Sequence, residues 1–477
     1  MPRADHSVAG KAGWPDVREG AKFADVVARQ IRSDVVARGW PVGAVIGTEP
    51  ELLERFAASR ATLREALRIV EYLGIARMRQ GPGGGLVVTA PDSSAITFAA
   101  VIFLAFSRVS VEEVLGARRV IEELAVELAV TRSTPEARRR LADRLAELGE
   151  RPSELGTHWE LHEVLGAMTQ NPVVDVYVQI LSRLTAQYAA SGRRSQAQAT
   201  RERLATHAAH ARIVHAIAGG DAVVAKLAMR HHLEEIEGFI VHRKGRQELS
   251  IGDPLKGFPG AKLGTIVAVS MLTEIAERGW PVSELLGSEA TLMERHDVSR
   301  AVVREAVRLL EFHQVVRTRR GPGGGVFVAA PSLDAVTDAL VVHLEYRGID
   351  RNQLFEVRTA IELATVQETA RARDDETVGR LRDALEAERT ARFADVGAIS
   401  HSLHAKIADL AGNRAVSLFL GVLVRLTEER GSRPTPQTTE QVYKAHSAIV
   451  SAIASGDAER ARRRMARHLD AMKTTVR

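Results

Sequence analysis

The chain repeats itself over a very long period. GTEPELLERFAASRATLREALRIVEYLGIARMRQGPGGGLVV at 47–88 faces GSEATLMERHDVSRAVVREAVRLLEFHQVVRTRRGPGGGVFV at 287–328, so that Arg64 matches Arg304 and Gly81 matches Gly321, each pair 240 positions apart. RGWPVG at 38–43 likewise matches RGWPVS at 278–283, and with small slips Asn171 matches Asn413 and His210 matches His446. A solenoid repeats every ~20–50 residues, so a period this long is the duplication of a whole unit. Whatever one half folds into, the other must fold into as well.

Within each half a short, turn-rich segment precedes a long helix-patterned stretch rich in Ala, Leu, Glu and Arg, without alternating strands. The expected layout is a loose tail at 1–19, small domains at 20–92 and 260–332, helical domains at 93–243 and 333–477, and a linker at 244–259. Thr48 and Glu51 form a capping box, and Ser59 and Ser299 are expected N-caps of the helices that follow them. In those helices Leu63, Ala66, Leu67 and Val70, and equally Val303, Ala306, Val307 and Leu310, define one face to bury. Arg60, Arg64 and Arg68, and Arg300, Arg304 and Arg308, step by four along a neighbouring stripe.

Glycine-rich turns serve several purposes, and the residues after GPGGG decide among them. A phosphate-cradling loop needs Lys-Ser/Thr at the head of a helix, whereas here Leu-Val-Val and Val-Phe-Val follow. An apolar run after glycines reads as a hairpin arm, the wing of a winged helix-turn-helix. A helix bearing three arginines on one stripe can enter a major groove and donate to phosphates and guanine edges. The candidate contacts are Ser59, Arg60, Thr62, Arg64 and Arg68 in the first copy and Ser299, Arg300, Arg304 and Arg308 in the second. Arg79, Gln80 and Gly81, with Arg319, Arg320 and Gly321, lie on the wings, where they can approach the adjacent backbone or minor groove. Taken singly, such a stripe usually means a solvated helix face; seen twice with a wing at the same distance, it points to double-stranded DNA.

Composition is compatible with this reading. The chain is 45% hydrophobic and 26% charged, as in ordinary soluble proteins, and its net charge of +5 permits nucleic-acid binding without requiring it. Zero cysteines exclude disulfides and thiolate metal sites and suit a reducing cytoplasm. AITFAAVIFLAF at 95–106 is too short for a bilayer span and reads as a buried helix, so no membrane association is expected. The first residues, MPRADHSVAGKAGWPD, hold no continuous apolar stretch of the secretory kind. The expected location is the cytoplasm, on the nucleoid.

The combination SR-x-x-[LV]-RE-A-[LV]-R followed by G-P-G-G-G-[LV]-[VF]-V resembles the GntR family of bacterial transcription regulators. The helical remainder resembles the effector domain of its FadR-like subgroup, called FCD. The resemblance covers almost the whole chain, twice. It implies a mainly α fold: two winged helix-turn-helix domains, each with a small β-hairpin wing and each followed by an all-α helical-bundle effector domain. It also implies an operator with two-fold character and control by a small organic acid. An arginine that the family commonly carries in the preceding helix is Pro50 in the first copy and Ala290 in the second. Val302 and Val303 stand where the first copy has Thr62 and Leu63, which points to unlike half-sites.

Three histidines coincide between the copies: His162 with His404, His210 with His446, and His232 with His468. Neutral imidazole is a common ligand for zinc, nickel or iron, and several helices of a bundle can converge on one ion. These positions resemble the metal-binding version of the FCD domain, which supplies three histidines and an aspartate four residues before the first. At the aspartate position stand His158 and Ser400, so the first copy offers four imidazoles. His401 is displaced by about 100° around its helix. The plainer reading is ordinary helical histidines with no ion. His207, His215 and His231 have no counterpart and are expected at the surface. Arg118 with Glu122 and Arg358 with Glu362 read plainly as surface ion pairs at i, i+4; read functionally, Arg118 and Arg358 face the effector cavity and hold a carboxylate. Asn171 and Asn413 are expected to cap or turn the chain.

The function so reached is that of a sequence-specific transcription regulator, an intramolecular pseudo-dimer with further homodimerisation open, controlled by a carboxylate effector and a divalent ion such as zinc or nickel. A metal-dependent enzyme using the histidine cavity, or a winged-helix scaffold without DNA, are the competing classes. No carboxylate sits in a motif such as H-E-x-x-H to serve a hydrolytic metal.

Overall fold

The computed structural model describes residues 23–81, 83–91, 93–150, 159–190, 195–244, 263–321, 323–390, 396–430 and 435–473. Contacts divide the chain into two compact units, one ending at Pro91 and the other running from Asp92 to Arg477.

The first unit is a winged helix. Helices α1 (Phe23–Ala37), α2 (Glu49–Phe56) and α3 (Arg60–Tyr72) precede a hairpin of β1 (Ala76–Arg79) and β2 (Gly85–Val88). Caps fix two of the helix starts: the Glu51 carboxylate accepts from the Thr48 N–H at 2.7 Å, and the Ser59 hydroxyl accepts from the Thr62 N–H at 3.1 Å. Between these helices Ala57 takes a left-handed φ of +46°, which turns α3 away from α2. Helices α1 and α3 pack together and bury Val27, Ile31 and Val35 with Leu63, Ala66 and Val70. The hairpin pairs Ala76 with Val88 and Arg79 with Gly85. Its turn needs glycine, since Gly81 has φ +95° and a Cβ on Gly84 would run into the Arg79 carbonyl.

The second unit opens with a helical domain of α4 (Ser93–Phe106), α5 (Val111–Arg132), α6 (Pro135–Glu150), α7 (Trp159–Met168), α8 (Pro172–Ala190), α9 (Gln196–Ala218) and α10 (Ala222–Lys244). Helix α5 is central, packed on α7, α8 and α10, and Val126, Leu141, Leu161, Ile213 and Met229 share one core. The second winged helix follows as α11 (Leu263–Glu277), β3 (Leu285–Gly287), α12 (Glu289–His296), α13 (Arg300–Phe312), β4 (Val316–Arg319) and β5 (Gly325–Val328). Its sheet has the order β3-β5-β4; at the place of β3 the first copy has the isolated bridge Val45–Val87. The second helical domain comprises α14 (Leu333–Tyr346), α15 (Arg351–Arg371), α16 (Asp375–Thr390), α17 (Val396–Leu410), α18 (Arg414–Arg430), α19 (Pro436–Ala454) and α20 (Ala458–Lys473). Val366, Leu381, Leu403, Ile449 and Met465 form the matching core. No helix among the described residues is long and apolar enough to cross a membrane.

The two helical domains pair reciprocally. Asn171 caps α8 through its Oδ1, 3.0 Å from the Val173 N–H, while its Nδ2 donates to the Gln353 carbonyl at 2.9 Å. Asn413 does the same in reverse, capping α18 and donating to the Glu113 carbonyl at 2.8 Å. Since Gln353 and Glu113 are equivalent positions, residue i meets j and j meets i, the mark of an approximate two-fold interface. At its centre the rings of Tyr177 on α8 and Phe419 on α18 stack with centroids 4.1 Å apart, and the Tyr177 hydroxyl donates to the Phe419 carbonyl at 2.8 Å. Both asparagines therefore cap, as their position suggested, and also bridge.

The second winged helix rests on α4 of the first helical domain. Trp280 meets Phe106 edge-on at 5.2 Å, and His313 meets Phe98 edge-on at 5.0 Å. His313 is 4% exposed, neither ring nitrogen has a hydrogen-bond partner, and burial lowers its pKa to about 3. The unfolded chain therefore binds a proton there that the folded chain refuses. Stability is full above pH 6.5 and falls as the pH drops toward 3, by about 1.4 kcal/mol per pH unit. His313→Leu, which installs the residue found at the equivalent Leu73, should cut the loss of stability between pH 7 and pH 5 by about 2 kcal/mol. Urea melts at the two pH values measure this, and an unchanged pH dependence in the variant would refute it.

Candidate functional site

Helices α3 and α13 bury one face and expose the stripe beside it. Arg60, Arg64 and Arg68, and Arg300, Arg304 and Arg308, are all exposed, as are the wing residues Arg79, Gln80 and Gly81 and their equivalents Arg319, Arg320 and Gly321. Ser59 and Ser299 occupy the N-cap positions, although the Ser299 side chain makes no capping bond, and Thr62 is half-buried. The copies differ in how the arginines rest. Glu289 at the start of α12 accepts from Arg304 Nη2 at 3.3 Å and lies 3.7 Å from Arg300 Nε. Those guanidinium groups remain 58% and 64% exposed, where an ion pair is worth at most about 1 kcal/mol and yields readily to a phosphate. On the wings Arg79 donates to the Gly83 carbonyl at 2.8 Å, and Arg319 lies over the Phe327 ring at 4.4 Å. Pro50 and Ala290 lie in the first turns of α2 and α12, where neither offers a side-chain donor.

Each helical domain brings its three matched histidines together. His162 from α7, His210 from α9 and His232 from α10 set their Nε2 atoms 3.1 to 3.3 Å apart. In the second domain His446 and His468 stand at 3.1 Å and His468 and His404 at 3.2 Å. The stacked pairs His162–His232 and His404–His468 both show a 5.2 Å separation and a 19° interplanar angle. All six rings are buried.

A carboxylate behind each cluster sets the tautomer. Glu122 Oε2 lies 2.5 Å from His162 Nδ1, and Glu362 makes the same contact with His404. A carboxylate only accepts, so Nδ1 carries the proton and Nε2 turns its lone pair toward the other two rings. Burial pushes the Glu122 carboxyl up, but Arg118 and His162 outweigh it and hold it well below the usual range; Glu362 is held down by His404 and Arg358 in the same way. Desolvation lowers His162, His404 and His468, which favours the neutral form that ligates metals. Three Nε2 atoms each about 2.1 Å from one ion would be separated by roughly 3.0 to 3.4 Å, so both triads fit a divalent cation.

The plain reading of the arginine–glutamate pairs as surface pairs is wrong. Arg118 Nε donates to Glu122 and Arg358 Nε to Glu362, each at 2.5 Å, and all four side chains are 2% exposed or less. The i, i+4 spacing looked like that of a solvated pair because spacing reports adjacency on a helix and not what covers it; α5 and α15 are buried on several sides. Arg118 lines a cavity of about 60 Å³ with Trp159, Ser182, Glu202, Thr206 and the first triad. Both Nη atoms of Arg358 are buried without a hydrogen-bond partner. His158 falls outside the described residues, as does the side chain of His401. His207 is half-buried, and His215 and His231 are exposed. Sequence reasoning overlooked the carboxylates as partners of histidine, although Glu122 and Glu362 were visible as a matched pair. It also overlooked Glu388, which lies 2.8 Å from His446 Nδ1 and has no acidic counterpart to announce it.

Comparison with known proteins matches these parts. The sequence profile of the FCD domain fits residues 113–235 and 353–471, together just over half of the chain, and that of bacterial regulatory proteins of the gntR family fits residues 23–86. The HTH-type transcriptional regulator LutR of Bacillus subtilis is 28% identical over 193 residues, which cover 39% of this chain and 87% of that protein. The HTH-type transcriptional repressor NanR of Escherichia coli K12 is 28% identical over 248 residues, covering 47% and 89% respectively. A solved Streptococcus agalactiae GntR aligns at 24% identity with a TM-score of 0.34, covering 44% of this chain and 100% of that one. LutR and NanR are each nearly all matched by less than half of this chain, as a fused duplicate requires.

Removing one member of the buried pair strands the other. Glu122→Leu should therefore cost about 3–5 kcal/mol in a denaturation experiment, against a few tenths for an exposed helix pair. A loss below about 0.5 kcal/mol would contradict the buried arrangement.

Proposed function

Since the chain belongs to the gntR family of bacterial regulatory proteins and carries two FCD effector domains, we propose that it reads one operator with both winged helices under the control of a small carboxylate. It is a DNA-binding transcription regulator rather than an enzyme, as its families and relatives are. The observation that carries the reading is the pair of exposed arginine stripes, Arg60, Arg64 and Arg68 on α3 and Arg300, Arg304 and Arg308 on α13, each beside a buried apolar face. Arginines at the head of such a helix donate to guanine edges, Ser59 and Ser299 stand beside them, and the wings reach phosphates. The two heads act as an intramolecular pseudo-dimer. Because Thr62 is replaced by Val302, its half-sites are not identical.

A carboxylate effector suits the interior. Arg358 has two buried Nη groups for which a carboxylate is the natural acceptor, and Arg118 borders the cavity of the first domain. At about 60 Å³ that cavity has room for roughly four to six waters, which selects an acid of few atoms. The triads His162, His210, His232 and His404, His446, His468 would hold a divalent ion such as zinc or nickel, which when bound supplies a Lewis-acidic site for an oxygen ligand. The chain's own residues do the rest: Glu122 and Glu362 fix the ring orientation, and Arg118 and Arg358 balance those carboxylates and face the incoming acid. The acid shifts the heads only by the difference in its affinity for their two arrangements.

Mobility shift with the DNA upstream of the gene, at rising salt, tests the reading. Affinity should fall steeply, about 10³- to 10⁵-fold between 50 and 200 mM salt if six to ten phosphates are contacted. Arg64→Ala and Arg304→Ala, made separately, should each weaken binding about 10-fold or more. Binding that ignores Arg304→Ala would mean that the second head does not read, and absence of binding at low salt would defeat the proposal.

A further inference from the structure

We propose that the paired faces of the two helical domains are keyed by charge, so that the first domain fits the second and not another copy of itself. The inference deepens the reading of the chain as an intramolecular pseudo-dimer and stands apart from its DNA and metal sites. Ion pairs join the two faces. Arg132 Nη2 on the first donates to Glu356 on the second, whose other oxygen accepts from Asn171 Nδ2 at 3.0 Å. Glu113 accepts from Arg414 Nε at 2.9 Å and from the Arg414 backbone N–H at 2.8 Å. Asp175 accepts from Arg347 Nη2 at 3.0 Å. The acids of the first face are largely withdrawn from water, Glu113 being 12% and Asp175 9% exposed.

An approximate two-fold axis should repeat each contact with the domains exchanged, as it does for Asn171 and Asn413. It repeats none of these ion pairs. Exchange turns Arg132 and Glu356 into Ala372 and Gly116, Glu113 and Arg414 into Gln353 and Pro172, and Asp175 and Arg347 into Ser417 and Ser107. Pro172 lacks even the backbone N–H that Arg414 gives to Glu113. The first face therefore brings one base and two acids, and the second brings one acid and two bases. Two first faces set together would put Arg132 opposite Gly116, Glu113 opposite Pro172 and Asp175 opposite Ser107. Two second faces would put Glu356 opposite Ala372, Arg414 opposite Gln353 and Arg347 opposite Ser417. None of these pairs survives in either arrangement, and a carboxylate kept from water without its partner is costly. The apolar centre does not discriminate, because Tyr177 and Phe419 are equivalent aromatic positions. Selection of the unlike partner therefore lies with the charges. Faces that paired like with like would join one chain to the next without closing, whereas unlike faces on one chain close on each other.

Cross-linking in the full-length chain tests this. The sequence holds no cysteine, and Gln353 Nε2 donates to the Gln170 carbonyl at 2.9 Å across the interface. Gln170→Cys with Gln353→Cys therefore gives one thiol on each face. A short bis-maleimide, added at micromolar protein, should give cross-linked single chains about 10-fold or more in excess over cross-linked pairs of chains. Glu356→Arg, Arg414→Glu and Arg347→Asp together give the second face the charges of the first, and should lower the intrachain yield about 10-fold. Adding Arg132→Glu, Glu113→Arg and Asp175→Arg should restore it. Should the first set lose its helices by circular dichroism, Glu113→Arg alone, which sets two arginines together, should lower the yield several-fold, and Arg414→Glu should then restore it. A yield that ignores reversal in the folded variants, or that the compensating changes fail to restore, would overturn the charge key while leaving the pseudo-dimer standing. Absence of intrachain product before any charge is reversed would overturn the pseudo-dimer itself.

Discussion

A guanidinium cut off from water persists only beside a carboxylate, and in both helical domains this requirement organises everything around it. Arg118 and Arg358 are among the largest fully buried side chains, and each is answered by a glutamate one turn along the same helix. That glutamate has a second oxygen to satisfy, and it does so with the Nδ1–H of a histidine from a different helix. The histidine is thereby turned so that its remaining nitrogen faces two more. A charge problem in the core of α5 and α15 thus ends as a cluster of lone pairs, and the neutral forms favoured by burial keep those lone pairs available. Removing any one member leaves another unsatisfied.

Much of this was legible because the chain states it twice. A single stripe of arginines, or a single buried-looking histidine, carries little weight; recurrence at Arg64 and Arg304, or at His210 and His446, separates pattern from accident without any other sequence. The apolar spacing of Leu63, Ala66, Leu67 and Val70 also sufficed, since a helix with one dry face declares it in its period. What stayed hidden depends on tertiary cover. The Arg118–Glu122 spacing is the same whether the pair is wet or dry, and α5 shows little periodicity because it is enclosed on several sides. Asn171 declares a cap but not the Gln353 carbonyl it reaches in the other half. Glu388 has no acidic counterpart in the first copy, so recurrence gives no sign of it.

Duplication also exposes what has since diverged. Glu289 sits against the arginines of the second reading helix, β3 adds a strand to the second wing, and His313 replaces Leu73 where that domain meets α4. None of these three changes touches the paired cores, where the buried Glu388 against Leu148 is a separate divergence. The first two lie within the second winged helix and His313 lies at its joint with α4, places where a fused pair, unlike two identical subunits, is free to differ.

The reciprocal contacts of Asn171 and Asn413, with Tyr177 stacked on Phe419 between them, join two lobes of one polypeptide. Such an association is unimolecular, since one chain joins the lobes through the second winged helix. Dilution does not dissolve it. A cell holding only a handful of molecules would still have the two lobes of each one paired.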